Sequence, residues 1–190
     1  IVSVYDFGEH EDQPYIVMRY MSVGSLGDHL IEKGALPIPE IASIFQRIGS
    51  SVDYAHSLGI IHRDIKPGNI LFDTQGGVYL SDFGIAKIAE STTGFTGTGS
   101  MVGTPAYMSP EQARGEKDLD GRCDIYSLGV VLFESLSGQL PFKADTPMGV
   151  AVAHITEPVP NLRERNPNVP AVFDAVIHKA LDKNPADRYQ

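Results

Sequence analysis

Two acidic residues eighteen positions apart, Asp64 and Asp82, with a hairpin pattern between them, constrain this 190-residue chain more than any other feature. The first lies in His62-Arg63-Asp64-Ile65-Lys66-Pro67-Gly68-Asn69, and the second opens Asp82-Phe83-Gly84. Between them, the apolar runs Ile70-Leu71-Phe72-Asp73 and Val78-Tyr79-Leu80-Ser81 bracket Thr74-Gln75-Gly76-Gly77. That pattern predicts two antiparallel strands joined by a turn. A hairpin returns its ends to one place, so Asn69 before the first strand must land near Asp82 after the second. Two carboxylates, an ammonium and an amide are thereby gathered without a long loop.

These groups suit phosphoryl transfer, which asks a protein for positioning and charge neutralisation rather than covalent chemistry. Asp64 is the candidate to accept the proton of an attacking hydroxyl, a contribution of ~10²–10⁴-fold in rate. Lys66 can set its ammonium against the transferred phosphate as charge moves toward the leaving oxygen. Asn69 and Asp82 offer hard oxygen ligands, which suit magnesium and its preference for few protein ligands.

The rest of the chain reads as strands followed by helices. Residues 1–7 and 14–20 look like two strands joined by the polar turn 8–13. A helix is predicted through about Lys33, and apolar residues at helical spacing predict another over 39–58, closed by Gly59. Residues 85–103, rich in Gly, Ser and Thr, read as a loop. A long helix follows over 121–137, with Ile125, Leu128, Val131, Leu132 and Leu136 on its apolar side and Gly138 as its stop. Two more are predicted near 147–155 and 169–181. Segregated strands and helices indicate an α+β fold rather than a doubly wound sheet.

Composition narrows the partners. The net charge of −9 argues against nucleic acid or an anionic membrane surface. The single cysteine, Cys123, cannot form an internal disulfide and points to a reducing compartment. No apolar run approaches the 18 residues of a membrane span. The chain starts inside a strand-like alternation without Met and stops at Arg188-Tyr189-Gln190 without a cap, so it reads as a segment of a longer protein.

Taken together, these motifs resemble the catalytic domain of eukaryotic-type (Hanks-type) Ser/Thr protein kinases, most closely the bacterial members. The resemblance extends over essentially the whole chain. It includes Gly103-Thr104-Pro105-Ala106-Tyr107-Met108-Ser109-Pro110-Glu111, the helix start Asp124-Ile125-Tyr126-Ser127-Leu128-Gly129, and Arg188 in Asn184-Pro185-Ala186-Asp187-Arg188-Tyr189. It implies a kinase-like fold in which 1–20 are a remnant of the small β lobe and the start of the hinge. Residues 21–190 would then be a mostly helical large lobe, truncated before its end.

The resemblance also implies roles. Asp64, Lys66, Asn69 and Asp82 would be catalytic, with Asn69 and Asp82 holding Mg2+. Met18 would stand behind the adenine of ATP, the backbone of Arg19 and Met21 would bond it, Leu71 would pack under it and Ser25 would lie near the ribose. Asp124 would bind catalytic-loop amides, and Glu111 and Arg188 would form a structural ion pair. Lys66 with Thr104 on the substrate side is the combination of Ser/Thr kinases. Each assignment has a plainer competitor from the residues alone: Met18 as a core methionine, Glu111 and Arg188 as solvated surface charges and Asp124 as a helix N-terminal acid. Thr104 reads equally as a turn residue or a substrate-side contact. His62 reads as a packed histidine with no chemical task.

Control is expected from the loop. Residues 91–100 carry six hydroxyls, and Thr96 and Thr98 are the candidates for autophosphorylation, with Arg63 receiving the phosphate. The expected activity is ATP-dependent phosphorylation of Ser/Thr on protein substrates, on the cytoplasmic side, with dimerisation as one route to autophosphorylation. No nucleic acid or membrane contact is expected of this segment. A Gly-rich phosphate loop and the strand lysine of such kinases do not occur in these 190 residues, so by themselves they are expected to be nearly inactive. The alternative is a pseudokinase scaffold that binds partners through its helices.

Overall fold

The computed structural model describes residues 1–11, 13–83 and 105–190. The chain opens with an antiparallel ribbon, β1 (Val4–His10) against β2 (Gln13–Met18). The expected six-residue turn is not there: the ladder runs on through the polar residues until His10 pairs with Gln13. Both faces of this ribbon are open, with Tyr5 68% and Phe7 79% exposed. Side-chain burial therefore cannot set the strand ends, and backbone pairing sets them instead.

Ser25 then starts α1 (Leu26–Lys33). Its hydroxyl accepts the Asp28 amide while the Asp28 carboxylate takes the Ser25 amide, which satisfies donors at both ends of the first turn. Helix α2 (Ile38–Ser57) buries Ile41, Ile44, Ile48, Val52 and Ala55 on one stripe, as the spacing predicts. Its chain reverses at Gly59, whose φ of +74° is open to glycine at no steric cost.

After a 3-10 turn over Pro67–Asn69 comes the predicted hairpin, β3 (Ile70–Phe72) with β4 (Val78–Leu80). Asp73 builds its turn by accepting the amides of Gln75 and Gly77 at 2.9 and 2.7 Å.

The second half is helical: α3 (Pro110–Ala113), α4 (Arg122–Ser137), α5 (Pro147–Thr156), α6 (Leu162–Arg165) and α7 (Val172–Ala180). Helix α4 corrects the expectation of one apolar side. It is buried nearly all round, with Tyr126, Val130, Val131 and Phe133 fully enclosed and Leu128 and Leu132 only partly so. It packs against α2, α6 and α7, which explains why no single stripe suffices. Gly129 permits the approach of α7, since a Cβ there would stand 2.9 Å from the Ala180 Cβ. Helix α7 starts three residues later than predicted, because Pro170 and the buried Val169 belong to the preceding turn. The result is an α+β molecule, a small open ribbon on a mostly helical body.

Candidate active site

Asp124, at the start of α4, organises the loop between α2 and β3. Its side chain is 1% exposed, and its two oxygens accept the backbone amides of His62 and Arg63, each at 2.8 Å. A third partner, His56 on α2, reaches the same carboxylate at 2.8 Å, and this bond raises the histidine's pKa. From the other side, the Gln112 side-chain amide donates to the Arg63 carbonyl at 2.8 Å.

His62 is fully buried, and burial holds its pKa below the usual value. Its Nε2 faces the Ser81 carbonyl at 2.8 Å and its Nδ1 faces the Asp64 amide at 3.3 Å. A carbonyl only accepts and an amide only donates, so the ring is neutral with its proton on Nε2. It thus joins the Asp64 backbone to the strand that leads into Asp82, while Phe83 packs on its face at 4.5 Å.

Asp64, Lys66 and Asn69 meet directly. Lys66 Nζ donates to Asp64 Oδ2 at 2.8 Å, and Asn69 Nδ2 donates to the Asp64 carbonyl at 2.8 Å and to Oδ2 at 3.2 Å. Those bonds orient the amide so that Asn69 Oδ1 faces away from Asp64. The hairpin brings in Asp82: Ser81 donates its amide to the Asn69 carbonyl at 2.9 Å. The Ser81 hydroxyl lies 3.2 Å from both that carbonyl and Asp82 Oδ2. Arg63 and Asp82 both adopt left-handed backbone, φ +65° and +56°. Such conformations cost non-glycine residues about 1–3 kcal/mol and concentrate at functional sites.

Asn69 Oδ1 and the exposed Asp82 carboxylate are hard oxygen donors, and the donor set fits a divalent cation that completes its shell with water or phosphate oxygens. Among the described residues no group of three or more His, Cys, Asp or Glu side chains is placed to hold a metal ion.

On the adenine side assigned by resemblance, Met18 ends β2 opposite Val4, and Leu71 pairs with Tyr79 in the second hairpin. The Arg19 amide is spent on the Ser3 carbonyl at 3.0 Å, which leaves its own carbonyl as the atom able to meet a ligand. Met21 is half-buried in the connection that follows. Ser25 has a further duty, the cap of α1, which Asp28 three positions on completes.

Glu111 and Arg188 are not surface charges. Arg188 is enclosed, with a 0% exposed side chain, and forks onto both Glu111 oxygens at 2.7 and 2.9 Å. Its remaining donors go to the carbonyls of Arg122, Asp182 and Lys183. Burial pushes the Glu111 carboxyl up, but Arg188, helped by Glu111's own backbone amide and Ser109, outweighs it and the net shift is downward. Gly84, Thr96, Thr98 and Thr104 lie outside the described residues.

A groove of about 350 Å³ opens beside Lys66, bounded by Leu30, Ile31, Tyr107 and Glu134. The Tyr107 hydroxyl donates to Glu134 at 2.7 Å, and burial raises the pKa of that glutamate. Sequence reasoning missed Tyr107 and Glu134, together with His56, Ser81 and Gln112.

The family model described as the protein kinase domain matches residues 1–190, the whole chain. The chain belongs to the protein kinase family. A probable serine/threonine-protein kinase of Clostridium perfringens, CPE1738, is 45% identical over 190 residues. Serine/threonine-protein kinase PknB of Mycobacterium leprae is 43% identical over 195 residues, and PrkC of Bacillus subtilis 43% over 190. Each match covers all of this kinase chain and 27%, 31% and 29% of the respective relative.

Proposed function

We propose that the chain forms the catalytic part of a kinase that moves the γ-phosphoryl group of ATP to serine and threonine hydroxyls of proteins. The observation that carries this reading is the joined cluster of Lys66, Asp64 and Asn69, linked through Ser81 to Asp82. Asp64 accepts the hydroxyl proton and aims the oxygen at phosphorus. Lys66, resting on Asp64 at 2.8 Å, turns its ammonium to the transferred phosphate. A divalent cation, Mg2+ in this reading, would be held by Asn69 and Asp82 and would neutralise phosphate charge. Met18, the Arg19 carbonyl, Met21, Ser25 and Leu71 frame the adenosine end.

Residues 1–20 then serve as small-lobe strands and hinge, and 21–190 as the large lobe. The choice of Ser/Thr rests on Lys66 with Thr104 and on relatives whose names say serine/threonine-protein kinase. Thr96 and Thr98 are the proposed autophosphorylation sites, with Arg63 as the receiving cation, on a second copy in a transient dimer or within one chain. The compartment is the cytoplasmic side, where ATP is available; among the described residues no helix is long and apolar enough to cross a membrane. A partner-binding scaffold would need none of the four clustered side chains.

The test is γ-phosphate transfer by the full-length protein with Mg·ATP and a generic Ser/Thr substrate, beside Asp64→Asn and Asp82→Asn. Transfer that both variants abolish, with phosphate mapped to residues 91–104 of the wild type, supports the reading. Transfer undiminished by either substitution would sink it. The 190 residues alone are expected to turn over little, having no Gly-rich loop or strand lysine within them.

A further inference from the structure

Two hairpins flank the proposed adenine slot, and they belong to different sheets. One ends at Met18 and the other carries Leu71. Their backbones touch where the Val2 amide donates to the Leu80 carbonyl at 2.9 Å. Among the described residues, the side-chain hydrogen bonds from the first twenty residues to the rest of the molecule come from Arg19. Nη2 donates to Asp73 Oδ2 at 3.1 Å and Nη1 to the Tyr79 hydroxyl at 3.2 Å, with the guanidinium carbon 5.1 Å from the Tyr79 ring centre.

The far end of this contact is already rigid. Asp73 is pinned by the amides of Gln75 and Gly77, and its side chain is only 10% exposed. The Gly77 bond, ahead of smaller contributions that include Arg19, holds its carboxyl below the usual range, so it stays charged at neutral pH. Tyr79 sits directly opposite Leu71, and paired residues of an antiparallel ladder present their side chains on one face. Arg19 is likewise held at its backbone, through Ser3.

We infer, on the kinase reading above, that the Arg19 side chain is a positioning residue for the nucleotide, clamping the connection after Met18 to the hairpin that carries Leu71. The planar fork suits two acceptors at once, which a lysine cannot match. Because the Arg19 side chain is 40% exposed, the ion pair adds little to overall stability. Its effect falls on the spacing between the hinge backbone, which would bond the adenine edge, and Leu71, which would pack on the adenine face.

The test uses the full-length protein, with Mg·ADP titration, steady-state kinetics and thermal unfolding on wild type, Arg19→Met, Arg19→Lys and Tyr79→Phe. Arg19→Met should raise the Kd for Mg·ADP and the KM for ATP by about two- to fivefold, the scale of a partly exposed ion pair. The KM for the peptide substrate should not move, kcat should move less than KM, and the unfolding temperature should hold. Arg19→Lys and Tyr79→Phe should fall between wild type and Arg19→Met. A methionine variant that binds Mg·ADP as tightly as wild type, or whose loss tracks a fall in unfolding temperature, overturns this inference alone. Wild-type protein that binds no Mg·ADP overturns the proposed function and the inference with it.

Discussion

His56 and Asp124 meet across 2.8 Å between α2 and α4, on the same carboxylate oxygen that accepts the His62 amide. The bond to Asp124 raises the histidine's pKa above its ordinary value of 6.5. A group with a raised folded pKa contributes stability that is fully present below the unfolded value and fades as pH rises through the folded one. Thermal unfolding of wild type and His56→Gln should therefore differ most below pH 6.5 and converge at higher pH. A gap that widens with pH would contradict this pairing.

Glu111 and Arg188 give the opposite pH sign. The Glu111 pKa is depressed, so its contribution is present above the unfolded value of 4.5 and is lost as pH falls through the folded one. Arg188→Ala strands a buried carboxylate and should cost about 3–5 kcal/mol in chemical denaturation. Arg188→Lys should recover only part of that, because a single ammonium cannot fork onto both oxygens.

The Ser81 hydroxyl stands between the Asn69 main-chain carbonyl and the carboxylate of Asp82, a proposed metal ligand. Removing a group that orients a ligand typically costs about 10–100-fold in metal affinity. Ser81→Ala should therefore raise the Mg2+ concentration for half-maximal phosphate transfer by about tenfold or more. An unchanged Mg2+ dependence would separate Ser81 from the metal.

Gly129 lets α4 and α7 touch. A Cβ at this position would stand 2.9 Å from the Ala180 Cβ and 3.0 Å from Leu181 Cδ2. Gly129→Ala should cost about 1–3 kcal/mol through overpacking, more than the small gain in helix propensity. Denaturant titration of the variant is the check.

The parts of the site that sequence could reveal are those whose geometry is local. The hairpin between Asn69 and Asp82 is written in residues 70–81, and Asp64, Lys66 and Asn69 lie within six positions. The contact of those three and the approach of Asp82 through Ser81 were therefore within reach of pattern and turn chemistry. Glu111 and Arg188 lie 77 residues apart, and nothing in their neighbourhoods marks them as buried; only the family likeness paired them. His56 and Gln112 act on the loop from elements distant in sequence, so no spacing rule finds them. Ser81 was closest to legible, a polar residue that ends an apolar strand directly before Asp82. The limits of β1 were hidden for a different reason, since a ribbon bare on both faces carries no burial pattern to read.

Arg63 and Asp82 flank the proposed reaction centre in a backbone conformation that most side chains avoid. A survey aimed only at thermal hardiness would be drawn to these two places, where glycine relaxes the chain at once. At Arg63 the same swap would loosen the backbone just before the proposed proton acceptor, and at Asp82 it would delete the proposed cation ligand outright. Selection for endurance and selection for turnover would therefore pull in opposite directions at these two positions.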